Sequence, residues 1–294
     1  MAESTPRQKR IAMFQMLLCA SMWSIAGVFI KQIPWSALSI AGWRGLISAA
    51  ALFGCAKITK IPVRVTRRSL IMAFFVGGTS LCFVIANKLT TAANAIVLQF
   101  TSPVFILLYN VVFAHQKASK TDIAAVTLTL GGVALFFFDQ LTPGYLIGNF
   151  VAICAGVFCA GMYIAVGSGS ESERMGGTIL GQSLTAVVGI TFSLFAAPPE
   201  ITGRAVLFIV ILGVFQLGIP YALFVRSTRH CPPLACNLLG VMEPLLNPVW
   251  VFLFDGESPG VYALVGAAVV IATVTVWSVH QAKAPAPKKS SAGG

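Results

Sequence analysis

Ser102-Pro103-Val104-Phe105 and Glu243-Pro244-Leu245-Leu246 stand about 141 positions apart, and that offset decides how the chain is read. The same shift lays Ala86-Asn87-Lys88-Leu89-Thr90 over Ser227-Thr228-Arg229-His230-Cys231, and Gly77-Gly78-Thr79 over Gly218-Ile219-Pro220. Self-similarity at a fixed offset marks a duplicated unit. The apolar runs around both copies say what kind of unit it is.

Hydrophobic residues make up 57% of the chain and charged residues 10%, with a mean hydropathy of +0.86. A soluble domain carries roughly 25% charged residues, so the solvent of this chain is a bilayer. Backbone polar groups in hydrocarbon must be paired within their own segment, and a helix needs about 20 apolar residues to cross. Ten spans are expected, at roughly 11–30, 37–56, 69–87, 92–114, 121–138, 145–166, 176–196, 204–225, 233–254 and 260–280. The fold class is therefore all-α, a polytopic membrane protein with ten transmembrane helices.

The loops orient it. With the N-terminus inside, 16 of the 20 Lys and Arg residues fall in cytosolic segments; only Lys31, Lys88 and Arg204 fall outside, with the acidic Asp139, Glu200, Asp255 and Glu257. Cytosolic loops collect Lys and Arg, so both termini are placed in the cytosol and the chain in the inner (cytoplasmic) membrane. The net charge of +11 reads as anchors for membrane lipids, with Arg64 to Arg68 facing phosphates and no nucleic-acid partner.

Each unit then holds five spans. An odd number makes the second unit enter from the opposite side, giving two inverted five-helix repeats, an arrangement that builds carriers with a midplane site. The expected organisation is a cytosolic tail 1–10, a first repeat 11–140, a second repeat 141–282 and a disordered low-complexity tail 283–294.

The stretch Ala86-Asn87-Lys88-Leu89-Thr90-Thr91-Ala92-Ala93-Asn94-Ala95 precedes Ser102-Pro103-Val104-Phe105. Its counterpart is Met242-Glu243-Pro244 with Phe254-Asp255-Gly256-Glu257, and Trp23-Ser24 and Arg44 stand in the first two spans. In these motifs, and over nearly its whole length, the chain resembles EamA-type members of the drug/metabolite transporter superfamily. The resemblance implies ten helices around a central cavity and export of amino acids, other small metabolites or drugs.

Glu243 is the most informative single residue, because an ionisable group near the bilayer centre is costly and marks function by default. It either pairs permanently with Arg44 or freed backbone groups, or binds substrate and couples protons. Asn247 and Trp250 follow it on the same helical stripe. Arg44 either extends to the outer interface or faces the cavity beside Trp43 and grips a carboxylate with its planar fork. An Arg and a Glu in one cavity would suit a zwitterion. Further candidate lining groups are Trp23, Ser24, Gln99, Ser102, Tyr163, Gln182, Gln216, Tyr221 and Asn237, although polar residues in spans also cement neighbouring helices.

Pro103 and Pro244 sit mid-span, where proline removes one helical hydrogen bond. The carbonyls of Gln99 and Gly240 are the ones expected to be released, with hinges at Pro103, Pro220, Pro244 and Pro248. Trp35 and Trp277 near span ends read as interface anchors. The small-residue stripes Ala41/Gly45/Ala49 and Ala152/Gly156/Ala160 mark close helix contacts, by packing within the chain or in a homodimer.

Seven cysteines without C-x-x-C spacing or companion histidines give no disulfide framework and no metal site. No phosphate loop, H-E-x-x-H or nucleophile elbow occurs, and no cofactor is implied, which argues against an enzyme. The expected function is secondary active transport, exporting a small polar or zwitterionic metabolite such as an amino acid by alternating access. Proton antiport or the substrate gradient would drive it. A passive facilitator, or an uptake carrier for a small metabolite or cation, is the alternative; an intramembrane enzyme is the alternative of another class.

Overall fold

The computed structural model describes residues 5–116, 118–136, 138, 144–195, 198–255 and 261–283. Among them there is no strand. The helices are α1 (Pro6–Trp23), α2 (Ala26–Gln32), α3 (Ala37–Ile58), α4 (Arg67–Leu89), α5 (Ala92–Gln99), α6 (Ser102–Val112) and α7 (Lys120–Phe136), then α8 (Leu146–Ser168), α9 (Glu171–Ser193) and α10 (Gly203–Ile211). A π-helical segment, Leu212–Gly218, continues into α11 (Ile219–Ser227), followed by α12 (Pro233–Leu239), α13 (Met242–Asp255) and α14 (Val261–Lys283). The tail 284–294, Asp139 and Glu257 lie outside the described residues.

Seven stretches among the described residues are long and apolar enough to cross a membrane: Pro6–Gln32, Ala37–Ile58, Arg67–Leu89, Asn94–Val112, Leu146–Ser168, Glu171–Ser193 and Gly203–Ser227. Shorter apolar helical stretches run over Pro233–Leu246 and Leu264–Trp277. Their starts follow from local chemistry. Thr5, Ser36, Thr66, Thr91, Ser170 and Thr202 each accept a first-turn N–H, and Gln8 and Glu173 complete capping boxes with Thr5 and Ser170.

Three expected spans are broken rather than merely bent. The first is interrupted at Ser24 and Ile25, the fourth at Phe100 and Thr101, and the ninth at Gly240 and Val241. The last two interruptions are again about 141 positions apart. Pro103 and Pro244 thus sit in the first turns of α6 and α13, where a missing N–H costs nothing. This corrects the expectation of a released carbonyl at Gly240, which accepts the N–H of Glu243 at 2.9 Å. Gln99 carries the other expected carbonyl; its oxygen lies so close to Gly156 that a Cβ there would be 2.9 Å away. Pro220 follows the π-helical segment in the first turn of α11.

Packing repeats when the two halves are exchanged. α4 lies along α8 as α1 lies along α11; α4 meets α9 as the π-helical segment meets α3; α5 and α6 meet α8 as α12 and α13 meet α1. The pairs α3 with α9 and α7 with α14 map onto themselves. The closest seam is α3 with α9, where Gly42 and Gly189 face each other backbone to backbone. Between α4 and α8 the fit is reciprocal, Phe158 against Gly78 and Phe75 against Gly161. The two small-residue stripes are used up inside the chain: Gly45 abuts Gln182 and Thr185 of α9, and Gly156 abuts the break between α5 and α6.

The connections sort to two ends. At one, Arg64 N–H donates to the Ser172 carbonyl (3.2 Å), Arg229 pairs with Glu171 (3.2 Å), and Ser227 donates to the Ala12 carbonyl (2.7 Å). At the other, Lys31 Nζ donates to the Thr90 carbonyl (3.1 Å) and Lys88 Nζ to the Ile33 carbonyl (2.9 Å), so each lysine clasps the segment of the other. α1 starts from the first end; α8 starts from the second, where Gly148 rests on Leu89 and Thr90. The first helices of the two halves therefore run in opposite directions, as inverted repeats require. Trp35 and Trp277 are buried and donate to the Glu200 carbonyl (2.6 Å) and to Asp122 Oδ1 (2.9 Å), so they tie loops and helices rather than anchor to headgroups.

Candidate functional site

The three helix breaks and the π-helical segment converge on one internal cavity. A π turn in place of an α turn shifts the residues that follow it, and such turns recur at functional sites; here the segment carries Gln216 into the cavity wall. Tight backing holds it there. A Cβ on Gly213 would come 2.5 Å from Ile47 Cβ, and one on Gly218 would come 2.7 Å from Ala51 Cβ. The space open to water is about 50 Å³, room for a few molecules and too little for a metabolite.

Arg44 enters the cavity from α3. Only 1% of its surface is exposed. Nη2 donates to both the carbonyl and the Oγ of Ser80, each at 3.1 Å, while Nη1 donates to Gln216 Oε1 at 3.5 Å and Nε is unpartnered. The guanidinium therefore does not reach for the outer interface. Glu243 lines the same cavity from the first turn of α13. The two charges make no ion pair within 4.0 Å, and the Glu243 carboxylate has no hydrogen-bond partner among the described residues. In this conformation Glu243 is therefore neither ion-paired with Arg44 nor capping a backbone group among the described residues.

Ser102, the repeat counterpart of Glu243, accepts from Asn237 Nδ2 at 2.9 Å. This bond joins α6 to α12 across the two halves. On another wall Trp23 packs edge-on against Tyr221 (ring centroids 5.5 Å) and tilts against Phe224 (5.8 Å), while Tyr163 meets Phe224 at 5.2 Å. Tyr221 Oη donates to Met162 Sδ at 3.6 Å, and Gln216 Nε2 reaches the Trp23 carbonyl at 3.5 Å. Phe224 and Phe83 are repeat counterparts, and Phe83 lines the cavity on α4.

Of the residues singled out in the sequence, Trp23, Arg44, Gln99, Ser102, Tyr163, Gln216, Tyr221, Asn237 and Glu243 come together around this cavity. Others do not. Trp43 is 40% exposed on the outer face of α3, because it points away from Arg44 one position on. Gln182 is fully buried in α9 beside Gly45 with both amide atoms unpartnered, outside the cavity wall. Ser24 accepts from Trp250 Nε1 at 2.7 Å, so this pair ties α13 to the break in the first span rather than lining the space. The side chains of Asn247 and Pro248 lie outside what is described.

Thr79, Ser80, Cys159 and Met162 also line the cavity without having been singled out. Thr79 had a signal, since Gly77-Gly78-Thr79 is one of the repeated stretches, and Ser80 follows it directly. Cys159 and Met162 had none, being apolar enough to pass as helix-packing residues.

A multi-pass helical protein with a polar cavity enclosed between two equivalent halves belongs, as a class, among membrane transporters. The EamA-like transporter family matches residues 10–138 and again 146–279, and the chain is a member of that family, within the drug/metabolite transporters. It is 24% identical to human solute carrier family 35 member G1, over 90% of this chain and 77% of that protein. It is 22% identical to the uncharacterized transporter YxxF of Bacillus subtilis (strain 168), over 94% of this chain and 92% of that one. A solved crystal structure with 14% sequence identity covers 94% of this chain and 99% of its own, with a TM-score of 0.78, which speaks to the fold alone. Relatives named as transporters also set aside the enzyme alternative.

Proposed function

We propose that this protein is a secondary carrier exporting a small polar or zwitterionic metabolite, of which an amino acid is the type, by alternating access. One observation carries the reading: a buried guanidinium and a carboxylate, Arg44 and Glu243, line one cavity without pairing with each other. Burying charges apart is costly unless something completes them. A ligand bearing both a carboxylate and an ammonium would do so, bound by Arg44 at one end and Glu243 at the other. Proton exchange at Glu243, or the ligand's own gradient, would supply the driving force.

The breaks beside the cavity fit the same reading. Helices interrupted at mid-depth place backbone dipoles and polar side chains around a site, and two inverted halves can rock about it. The small size of the cavity suits a closed conformation between the two open ones. The basic end is assigned to the cytosol, with both termini there, in the cytoplasmic membrane.

The test is counterflow in proteoliposomes with a panel of neutral amino acids. Preloaded substrate should accelerate uptake of labelled substrate, to which a channel is indifferent; accumulation against a substrate gradient under an imposed pH gradient then separates a driven carrier from a passive facilitator. Glu243→Gln should abolish the response to an imposed pH gradient, and Arg44→Gln should abolish flux of substrates with a free carboxylate. Undiminished pH-dependent flux in Glu243→Gln removes the coupling role, and indifference to Arg44→Gln removes the zwitterion.

A further inference from the structure

A second pocket, of about 300 Å³, opens at the basic end between the first turns of α1 and the end of α11. Gln8 and Gln15 line it from α1, Glu171 from α9, and Arg226, Arg229 and His230 from α11 and the turn after it. Glu171 is the single carboxylate in this lining, and it is already engaged by Arg229 at 3.2 Å. Arg226 and Gln15 have no hydrogen-bond or ion-pair partner among the described residues.

A further cation stands close by. Arg174 is 1% exposed, and its Nη2 donates to the Gly167 carbonyl at 3.0 Å while Nε and Nη1 are unpartnered. Its charge is near enough to act on Glu171, Arg229 and His230. Two guanidinium groups, those of Arg226 and Arg174, therefore make no ion pair among the described residues, next to neutral amide donors, and the one carboxylate near them is held by Arg229. Such a donor set is matched by an anion with several acceptor oxygens, which guanidinium forks bind in pairs.

We propose that this pocket binds a phosphate group, gripped by Arg226 and Arg229 with Gln15 donating, and that the bound group clamps α1 to α11. The phosphate has two possible sources, the headgroup of an anionic lipid and a soluble phosphate. Anionic headgroups lie at this depth, and basic pockets between helices take them.

The experiment follows the melting of the full-length protein in neutral detergent during titration with phosphatidylglycerol, with diacylglycerol, which has no phosphate, and with inorganic phosphate. A ligand of the native form raises the melting temperature with saturation. Phosphatidylglycerol should do so and diacylglycerol should not. Arg226→Gln and Gln15→Leu, both at partly exposed positions, should each weaken the effect, the arginine change by about tenfold or more in midpoint. Protection by phosphatidylglycerol alone assigns the site to a lipid headgroup; equal protection by inorganic phosphate assigns it to a soluble phosphate. Protection by neither, by diacylglycerol equally, or unchanged in Arg226→Gln overturns the proposal.

Discussion

Gly189→Ala should loosen the seam between α3 and α9. A Cβ at position 189 would lie 2.5 Å from Gly42 N, 2.6 Å from Gly42 Cα and 2.7 Å from the Leu38 carbonyl oxygen. All three neighbours are backbone, so no side chain can swing aside. Restoring contacts of about 3.4 Å requires the helices to part by roughly 0.8 Å, and a gap of that size forfeits a quarter to a half of the dispersion energy of the surrounding contacts. Overpacking of this kind costs about 1–3 kcal/mol, or roughly 2–12 °C in melting temperature by the scaling of soluble domains. The assay is thermal unfolding in detergent, with Gly54→Ala and Gly131→Ala as controls, since a Cβ at either meets nothing within 4 Å. The controls should match or slightly exceed the parent, because alanine favours a helix over glycine. A Gly189→Ala protein that melts with the controls would refute the backbone-contact argument.

Arg44→Lys should not rescue Arg44→Gln in flux, because one guanidinium serves Ser80 twice and Gln216 once and an ammonium lacks the planar fork; recovery beyond about a tenth of parental flux would count against it. Breaking the clasps at the two ends should bias access in opposite senses. In a background lacking the other cysteines, Lys31→Met with Lys88→Met should expose Cys159 to an impermeant thiol reagent from the face opposite to that opened by Glu171→Gln; labelling from the same face in both would refute this. His230 is held below the usual imidazole range first by burial and then by Arg229 and Arg174, with Glu171 opposing them. It is therefore neutral at pH 7 and gains charge only on acidification, so phosphatidylglycerol binding should strengthen from pH 7 towards pH 5 in the parent and stay level in His230→Gln.

The bilayer's demands were legible in the sequence. Apolar runs of span length, the alternation of basic loops and the offset of about 141 positions between Ser102-Pro103 and Glu243-Pro244 follow from solvent and chain direction, which act on each segment separately. The charged pair was legible for the same reason: hydrocarbon tolerates Arg44 and Glu243 only where protein or water receives them. What each side chain faces was not. Trp43 and Arg44 are adjacent in sequence, yet one faces outward and the other lines the cavity, and Gln182 is as polar as Gln216 but is buried away from the space.

Those outcomes depend on how the helices pack and rotate. A composition-based reading of the first, fourth and ninth spans gives continuous helices. Only packing shows that they part at Ser24, Phe100 and Gly240, and that the eighth span shifts register through a π segment to present Gln216. Tertiary structure likewise decided that Arg44 meets Ser80 and Gln216 rather than Glu243, because hydrogen-bond geometry across helices depends on ångström offsets that periodicity does not encode. The chain's own chemistry determines that it resides in lipid as two related halves; the fit of glycine against backbone and ring against glycine determines where those halves leave room for a ligand.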